Sequence, residues 1–161
     1  MSLRIGLGYD VHSFDEKSEL ILGGVKIPFH KGLKGHSDAD VLLHAITDAL
    51  LGSLCLGDIG THFPDTDPQY KGFDSSILLK KSYELIQSNG YSLVNTDVTV
   101  VAEQPKLNQY ISKIRKSIAE ILECNMDQVS VKATTNEKMG FVGREEGIAA
   151  HAIVLIKLHN H

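Results

Sequence analysis

Hydrophobic and polar positions along the chain fall into alternating strand and helix periods. Leu3 to Tyr9 reads as a strand, and Leu20 to Ile27 as a short hairpin-like pair around Gly23-Gly24. Between Ser37 and Leu54 the residues Leu42, Ile46, Ala49 and Leu50 form an apolar stripe at helical spacing. Ser37 and Asp40 make a capping-box pattern at its start, so a helix is predicted over 37–54. A second helix is predicted over Ser76 to Ser88. Leu107, Ile111, Ile114, Ile118 and Ile121 mark a third, beginning after Pro105. Thr96 to Ala102 alternates, with Val98, Val100 and Ala102 on one face, and Val129, Val131 and Ala133 alternate again.

The last predicted strand, Ile148 to Leu158, is apolar on both faces. Ile148, Ala152, Val154 and Ile156 lie on one, Ile153 and Leu155 on the other. One face can cover the core. The second needs another cover, for which a partner subunit is the natural candidate. These elements predict an α+β fold of two layers, a mixed sheet with helices mainly on one face, formed by a single domain over 1–161. Gly57 to Asp74 is a long connection with two prolines and four aspartates. Connections of this length in compact domains are usually functional.

Composition narrows the classes without choosing among them. The 161 residues are 42% hydrophobic and 22% charged, ordinary values for a globular protein. A net charge of −4 gives no basic footprint for nucleic acid or an anionic membrane surface. No apolar run approaches the roughly 20 residues of a membrane-spanning helix. The chain enters its first strand within a few residues, leaving no room for a leader, so a cytoplasmic protein is expected. Cys55 and Cys124 lack metal-ligand spacing and are expected to be free thiols.

Candidate chemistry gathers in four places. Asp10-Val11-His12 follows the first strand, and residues two apart in extended chain point to one face, so both side chains can reach a single ion. His36-Ser37-Asp38-Ala39-Asp40 leads into His44, which lies one helical turn from Asp40 and from Asp48. A carboxylate one turn away would fix the tautomer of His44. Together Asp10, His12 and His44 make a three-ligand nitrogen and oxygen set that suits Zn²⁺ with one open position. In Ala133-Thr134-Thr135-Asn136-Glu137, hydroxyls and backbone N–H groups suit phosphate oxygens, and the carboxylate of Glu137 suits Mg²⁺. Gly140-Phe141-Val142-Gly143-Arg144 offers close backbone approach and a guanidinium for phosphate. Taken singly, each admits a plainer reading: a solvated strand-end histidine, a helix histidine paired with acids for stability, a Ser/Thr turn, a glycine-rich loop.

Taken together they resemble one family, the 2-C-methyl-D-erythritol 2,4-cyclodiphosphate synthases. The matching stretches are RIGLGYDVHSF from Arg4, GGVKIPF from Gly23, GHSDADVLLHAITDALLGSLCLGDIGTHFPDTDP from Gly35 and VKATTNEKMGFVGREEGIA from Val131. They cover nearly the whole chain. The resemblance implies a substrate, 4-diphosphocytidyl-2-C-methyl-D-erythritol 2-phosphate, whose 2-phosphate attacks the β-phosphorus and expels CMP in the non-mevalonate isoprenoid pathway. It implies Asp10, His12 and His44 as zinc ligands, with Asp10 and His12 also touching substrate. It implies His36 and Ser37 as contacts to the erythritol phosphate, with His36 stabilising the transition state. Asp58 and Gly60, then Phe63, Pro64, Asp65, Thr66 and Asp67, correspond to the erythritol-binding loop. Ala102, Pro105, Lys106, Leu107 and Asn108 correspond to the cytidine pocket, joined by Ala133, Thr134 and Thr135. Thr135 would stabilise transition-state charge, Glu137 would hold Mg²⁺ or Mn²⁺, and Phe141 and Arg144 would touch substrate. The resemblance also implies a homotrimer with active sites between subunits. At His151 the pattern often has an acidic residue near the threefold contact, and this sequence has a histidine. Two other functions fit the same residues: a zinc-dependent phosphoester hydrolase, and a non-catalytic cytidine-nucleotide-binding module.

Overall fold

A computed structural model describes residues 2–64, 66–68 and 72–159. The long strands are β1 (Leu3–Asp15), β5 (Tyr91–Val101), β6 (Val129–Thr134) and β7 (Gly147–Leu158). The short strands are β2 (Leu20–Leu22), β3 (Val25–Ile27) and β4 (Gly32–Leu33). The helices are α1 (Val41–Ser53), α3 (Ser75–Ser88) and α4 (Ile111–Ile121), with single turns α2 (Ile59–His62) and α5 (Gly140–Gly143). The main sheet has the order β4-β1-β7-β5-β6, parallel only between β5 and β6. A separate hairpin of β2 and β3 turns through Gly23 and Gly24, both at positive φ. The α+β expectation holds: a mixed sheet packs against helices.

The position of α1 follows from two glycines. Residues 6, 8, 10 and 12 of β1 share a face, by the period of two. A Cβ at Gly6 would lie 1.8 Å from the Ala49 carbonyl oxygen, and one at Gly8 would lie 1.9 Å from that of Ala45. The helix therefore rests directly on the strand backbone. It runs with Ala49 over Gly6 and Ala45 over Gly8, so its first turn comes over Asp10 and His12. The predicted apolar stripe is buried, and so is most of the rest of α1, which contacts β1, β7 and α3. A helix apolar on most sides belongs in an interior position.

The start of α1 differs from expectation. The helix begins at Val41, not Ser37, because Ala39 takes φ of 56° and Asp40 is the N-cap. The Asp40 carboxylate accepts the N–H groups of Leu42 (3.2 Å) and Leu43 (3.1 Å), and also of Gly23 (2.9 Å) and Gly24 (2.7 Å). One fully buried side chain thus caps the helix and clasps the β2–β3 turn. β1 also runs past Tyr9 to Asp15, and β5 begins earlier than Thr96.

The predicted two-faced character of β7 is observed. Ile148, Ala152, Val154 and Ile156 are fully buried beneath the helices, whereas Ile153 on the far face is exposed. The larger part of that far face belongs to β1. Leu3, Ile5, Leu7, Tyr9 and Val11 are all exposed, and Ile5 and Leu7 each retain 68% of their accessible surface.

Candidate active site

Asp10 and His12 lie on the inward face of β1, and the placement of α1 brings His44 over them. Asp10 Oδ2 lies 3.0 Å from His12 Nε2 and 3.0 Å from His44 Nδ1, and the two ring nitrogens are 3.2 Å apart. Donor bookkeeping fixes one tautomer. His12 Nδ1 lies 2.8 Å from the Lys34 carbonyl oxygen, which can only accept, so in the neutral ring Nδ1 carries the proton and Nε2 is bare. A bare nitrogen, a second imidazole nitrogen and a carboxylate oxygen therefore converge on one point. Tetrahedral ligands at zinc-type bond lengths are separated by about 3.3 Å, so the donor set and its spacing fit a small divalent cation. Among the described residues this is the cluster of three with metal-ligand geometry.

Burial disfavours the Asp10 carboxylate, but its pairing with the His12 and His44 rings, strongest when a ring is protonated, outweighs burial and holds the group at about 2. Burial pulls His12 down, and the Asp10 carboxylate more than offsets it, raising the ring above its ordinary value. The cluster thus attracts positive charge, whether proton or metal.

Neither Asp40 nor Asp48 serves as the hydrogen-bond partner expected for His44. Asp40 is committed to the four backbone N–H groups named above. The Asp48 carboxylate instead accepts the N–H of Ile59 at 2.8 Å, which ties α2 to α1. His44 Nε2 meets the Ser75 hydroxyl at 2.8 Å and the Ser37 hydroxyl at 3.2 Å. Ser75 was not among the expected residues, and its contact spans 31 positions of sequence.

Asp10, His12 and His44 line a cleft of about 580 Å³ together with His36, Ser37, Gly60 and Phe63. His36 is exposed and Ser37 half-buried, at the mouth. Asp58 is exposed at the start of α2, where its carboxylate accepts from the Thr61 N–H at 2.8 Å. Burial leaves Phe63, Pro64 and Asp67 partly covered and Thr66 exposed, while Asp65 lies outside the described residues.

The residues expected for the nucleotide come together elsewhere. Ala102, Pro105, Lys106, Leu107, Asn108, Ala133, Thr134 and Thr135 line a pocket of about 200 Å³. Sheet register relates it to the first cleft. Asp10 pairs with Ala150, Ala150 with Val100, and Val100 with Ala133, so both lie in one row across the sheet. Three strand spacings separate them, about 14 Å, and among the described residues the two pockets share no lining residue. Beyond β6, the Thr135 hydroxyl lies 3.3 Å from Glu137 Oε1, and Glu137 is exposed at φ of 50°. Glu103, also unanticipated, shapes this turn by accepting the N–H groups of Asn136 (2.9 Å) and Lys138 (3.1 Å). Phe141 and Arg144 are exposed, with Arg144 Nε 2.6 Å from Glu146. No helix among the described residues is long and apolar enough to cross a membrane.

The sequence model of the YgbB family matches residues 3–157. A protein of Chloroherpeton thalassium named 2-C-methyl-D-erythritol 2,4-cyclodiphosphate synthase is 59% identical over 155 residues, covering 96% of this chain and 99% of its own. The structure of the bifunctional IspDF from Campylobacter jejuni superposes with a TM-score of 0.95 at 44% identity. It covers 99% of this chain, which spans 43% of that longer one. A CDP complex of IspF from Plasmodium falciparum superposes with a TM-score of 0.87 at 38% identity, covering 99% of this chain and 98% of its own.

Proposed function

The chain belongs to the YgbB family, and on that premise we propose that it makes 2-C-methyl-D-erythritol 2,4-cyclodiphosphate. The substrate is 4-diphosphocytidyl-2-C-methyl-D-erythritol 2-phosphate. An oxygen of the 2-phosphate attacks the β-phosphorus, the bond from that phosphorus to the bridging oxygen breaks, and CMP departs with the electron pair. The observation that carries this reading is the convergence of Asp10, His12 and His44 at the floor of a cleft, in one sheet row with a Thr-rich pocket.

The charge problem explains the residue types. A phosphate dianion approaching a singly charged phosphate meets repulsion of about 8 kcal/mol at 4 Å and an effective dielectric of 20. Zn²⁺ on Asp10, His12 and His44, and Mg²⁺ or Mn²⁺ with Glu137, would neutralise phosphate charge. His36 and Ser37 at the cleft mouth would orient the erythritol phosphate, with His36 donating to the transition state. Asp58, Gly60 and the segment from Phe63 to Asp67 would enclose the erythritol. Ala102 and Pro105 to Asn108 would hold the cytidine, and Ala133, Thr134 and Thr135 the diphosphate. The Thr135 hydroxyl would stabilise charge building on it, and Phe141 and Arg144 would complete the contacts. The nucleophile is tethered within the substrate, so folding the bound molecule correctly can lower the barrier by up to about 7–11 kcal/mol. No nucleophilic side chain is needed.

The proposed assembly is a homotrimer in which one chain supplies the Asp10, His12 and His44 half and its neighbour the Thr135 and Glu137 half. Two observations support it: the apolar outer face of β1 and β7, and two half-sites that open as separate pockets. Purified protein incubated with the diphosphocytidyl substrate, followed by phosphorus NMR, tests the reaction. The expected products are the cyclic diphosphate and CMP in equal amounts. An acyclic product would indicate hydrolysis, and binding without turnover a nucleotide-binding module.

A further inference from the structure

The far side of His44 is held by a buried hydroxyl that is itself spoken for. Ser75 is fully buried. Its hydroxyl donates to Asp38 Oδ1, and its N–H donates to Asp38 Oδ2 at 3.1 Å. A hydroxyl has one proton. With that proton directed to a carboxylate, which can only accept, Ser75 Oγ can meet His44 Nε2 at 2.8 Å only as an acceptor. Nε2 must then carry the ring proton, which leaves Nδ1 bare in the neutral ring. Nδ1 is the atom that faces Asp10 and His12.

We propose that Ser75, backed by Asp38, is a positioning residue that sets the tautomer and ring angle of His44 for cation binding. The inference rests on the cation reading of Asp10, His12 and His44. Partners of this kind, one shell out from a metal, are worth about 10–100-fold in metal affinity.

Among the described residues the hydroxyl meets only His44 and Asp38. Ser75 is not the cap of α3, because Asp74 fills that place by accepting the Ser76 N–H at 2.8 Å. Ser37 cannot take over the role. It is half-buried, stands farther off at 3.2 Å, and among the described residues its hydroxyl has no carboxylate acceptor. Backbone lacing holds the relay in place: Gly72 N–H donates to the His36 carbonyl at 2.7 Å, and Asp38 N–H to that of Phe73 at 3.3 Å. The start of α3 is thereby fastened to the segment that carries His36 and Ser37.

The test is a titration of metal-stripped full-length protein with Co²⁺, followed by its visible absorption, and with Zn²⁺ against a chromophoric chelator. Wild type, Ser75→Ala, Ser75→Thr and Asp38→Asn are compared, and the melting temperature of each stripped protein is recorded. Ser75→Ala is expected to bind both ions about 10–100-fold more weakly and to alter the Co²⁺ spectrum. Ser75→Thr, which keeps the hydroxyl, restores most of the affinity, and Asp38→Asn falls between. Should Ser75→Ala not fold, Asp38→Asn decides by the same two readouts. Wild-type affinity and spectrum in the deciding variant, even with a lowered melting temperature, would overturn the inference by reducing Ser75 to a structural role. A wild-type chain that binds neither ion overturns the cation reading itself, and the inference with it.

Discussion

Single carboxylates in this chain do quite different work, and their partners tell which. Asp10 faces two imidazoles and is held ionised, whereas Asp40 is consumed by backbone N–H groups from a helix and a turn. Replacing Asp40 with alanine removes an N-cap and strands the buried Gly23 N–H and the part-buried Gly24 N–H of the turn. The expected loss is about 3 kcal/mol or more of unfolding free energy, read from denaturant midpoints. Glu137 is exposed beside Thr135 and caps no helix among the described residues. Glu137→Gln is therefore expected to leave those midpoints unchanged. It should lower turnover about a hundredfold, the scale of losing one group that stabilises transition-state charge, and weaken the dependence on Mg²⁺. Unchanged rate and unchanged Mg²⁺ dependence would remove Glu137 from the reaction.

At the scale of elements, the decisive contact is helix on strand. Gly6 and Gly8 let α1 sit on the backbone of β1, and this contact brings His44 over Asp10 and His12. Gly8→Ala drives a methyl into the Ala45 carbonyl. The expected cost is about 3 kcal/mol, and cation binding should fall even in the fraction that stays folded, because His44 is displaced along with its helix. A Gly8→Ala protein with normal cation affinity would show that the close approach is not what sets the site. The sequence carried part of this arrangement openly. The period of two in GLGYDVH puts Asp10 and His12 on one face, and the helical spacing around His44 is plain. The true start of α1 was not legible, since the Ser37-to-Asp40 spacing mimics a capping box. What decides is Asp40 reaching back to a turn 16 and 17 positions away. Ser75 was hidden for the same reason: its role exists only once α3 is folded against the His36 segment. Local pattern reveals faces and periods, and long-range hydrogen bonds lie beyond it.

For the whole molecule, the unusual feature is that β1 wears its hydrophobic side outward. Beneath α1 its inward positions are Gly6, Gly8, Asp10 and His12, and its outward ones are Leu3, Ile5, Leu7, Tyr9 and Val11. Alternation alone would send the apolar face to the core, but the glycines needed by α1 invert it. A continuous exposed apolar sheet face calls for a cover, and a second copy offers one of matching character. If copies close into a ring of three and each site joins halves from neighbours, two dead variants can rescue each other. His44→Ala lacks the cation half, and Glu137→Gln lacks the nucleotide half. Unfolded, mixed equally and refolded, they assort at random. A site is intact when its cation half comes from the Glu137→Gln chain and its nucleotide half from the His44→Ala chain, which occurs in about a quarter of sites in a closed cyclic trimer. Mixed protein should therefore regain about a quarter of wild-type activity, while each parent refolded alone stays nearly inactive. Were both halves drawn from one chain, every chain in the mixture would carry a lesion and no site would be whole. Mass spectrometry of the intact mixture separates the cases: mixed trimers without recovered activity would rule out shared sites, and absence of trimers would rule out the ring.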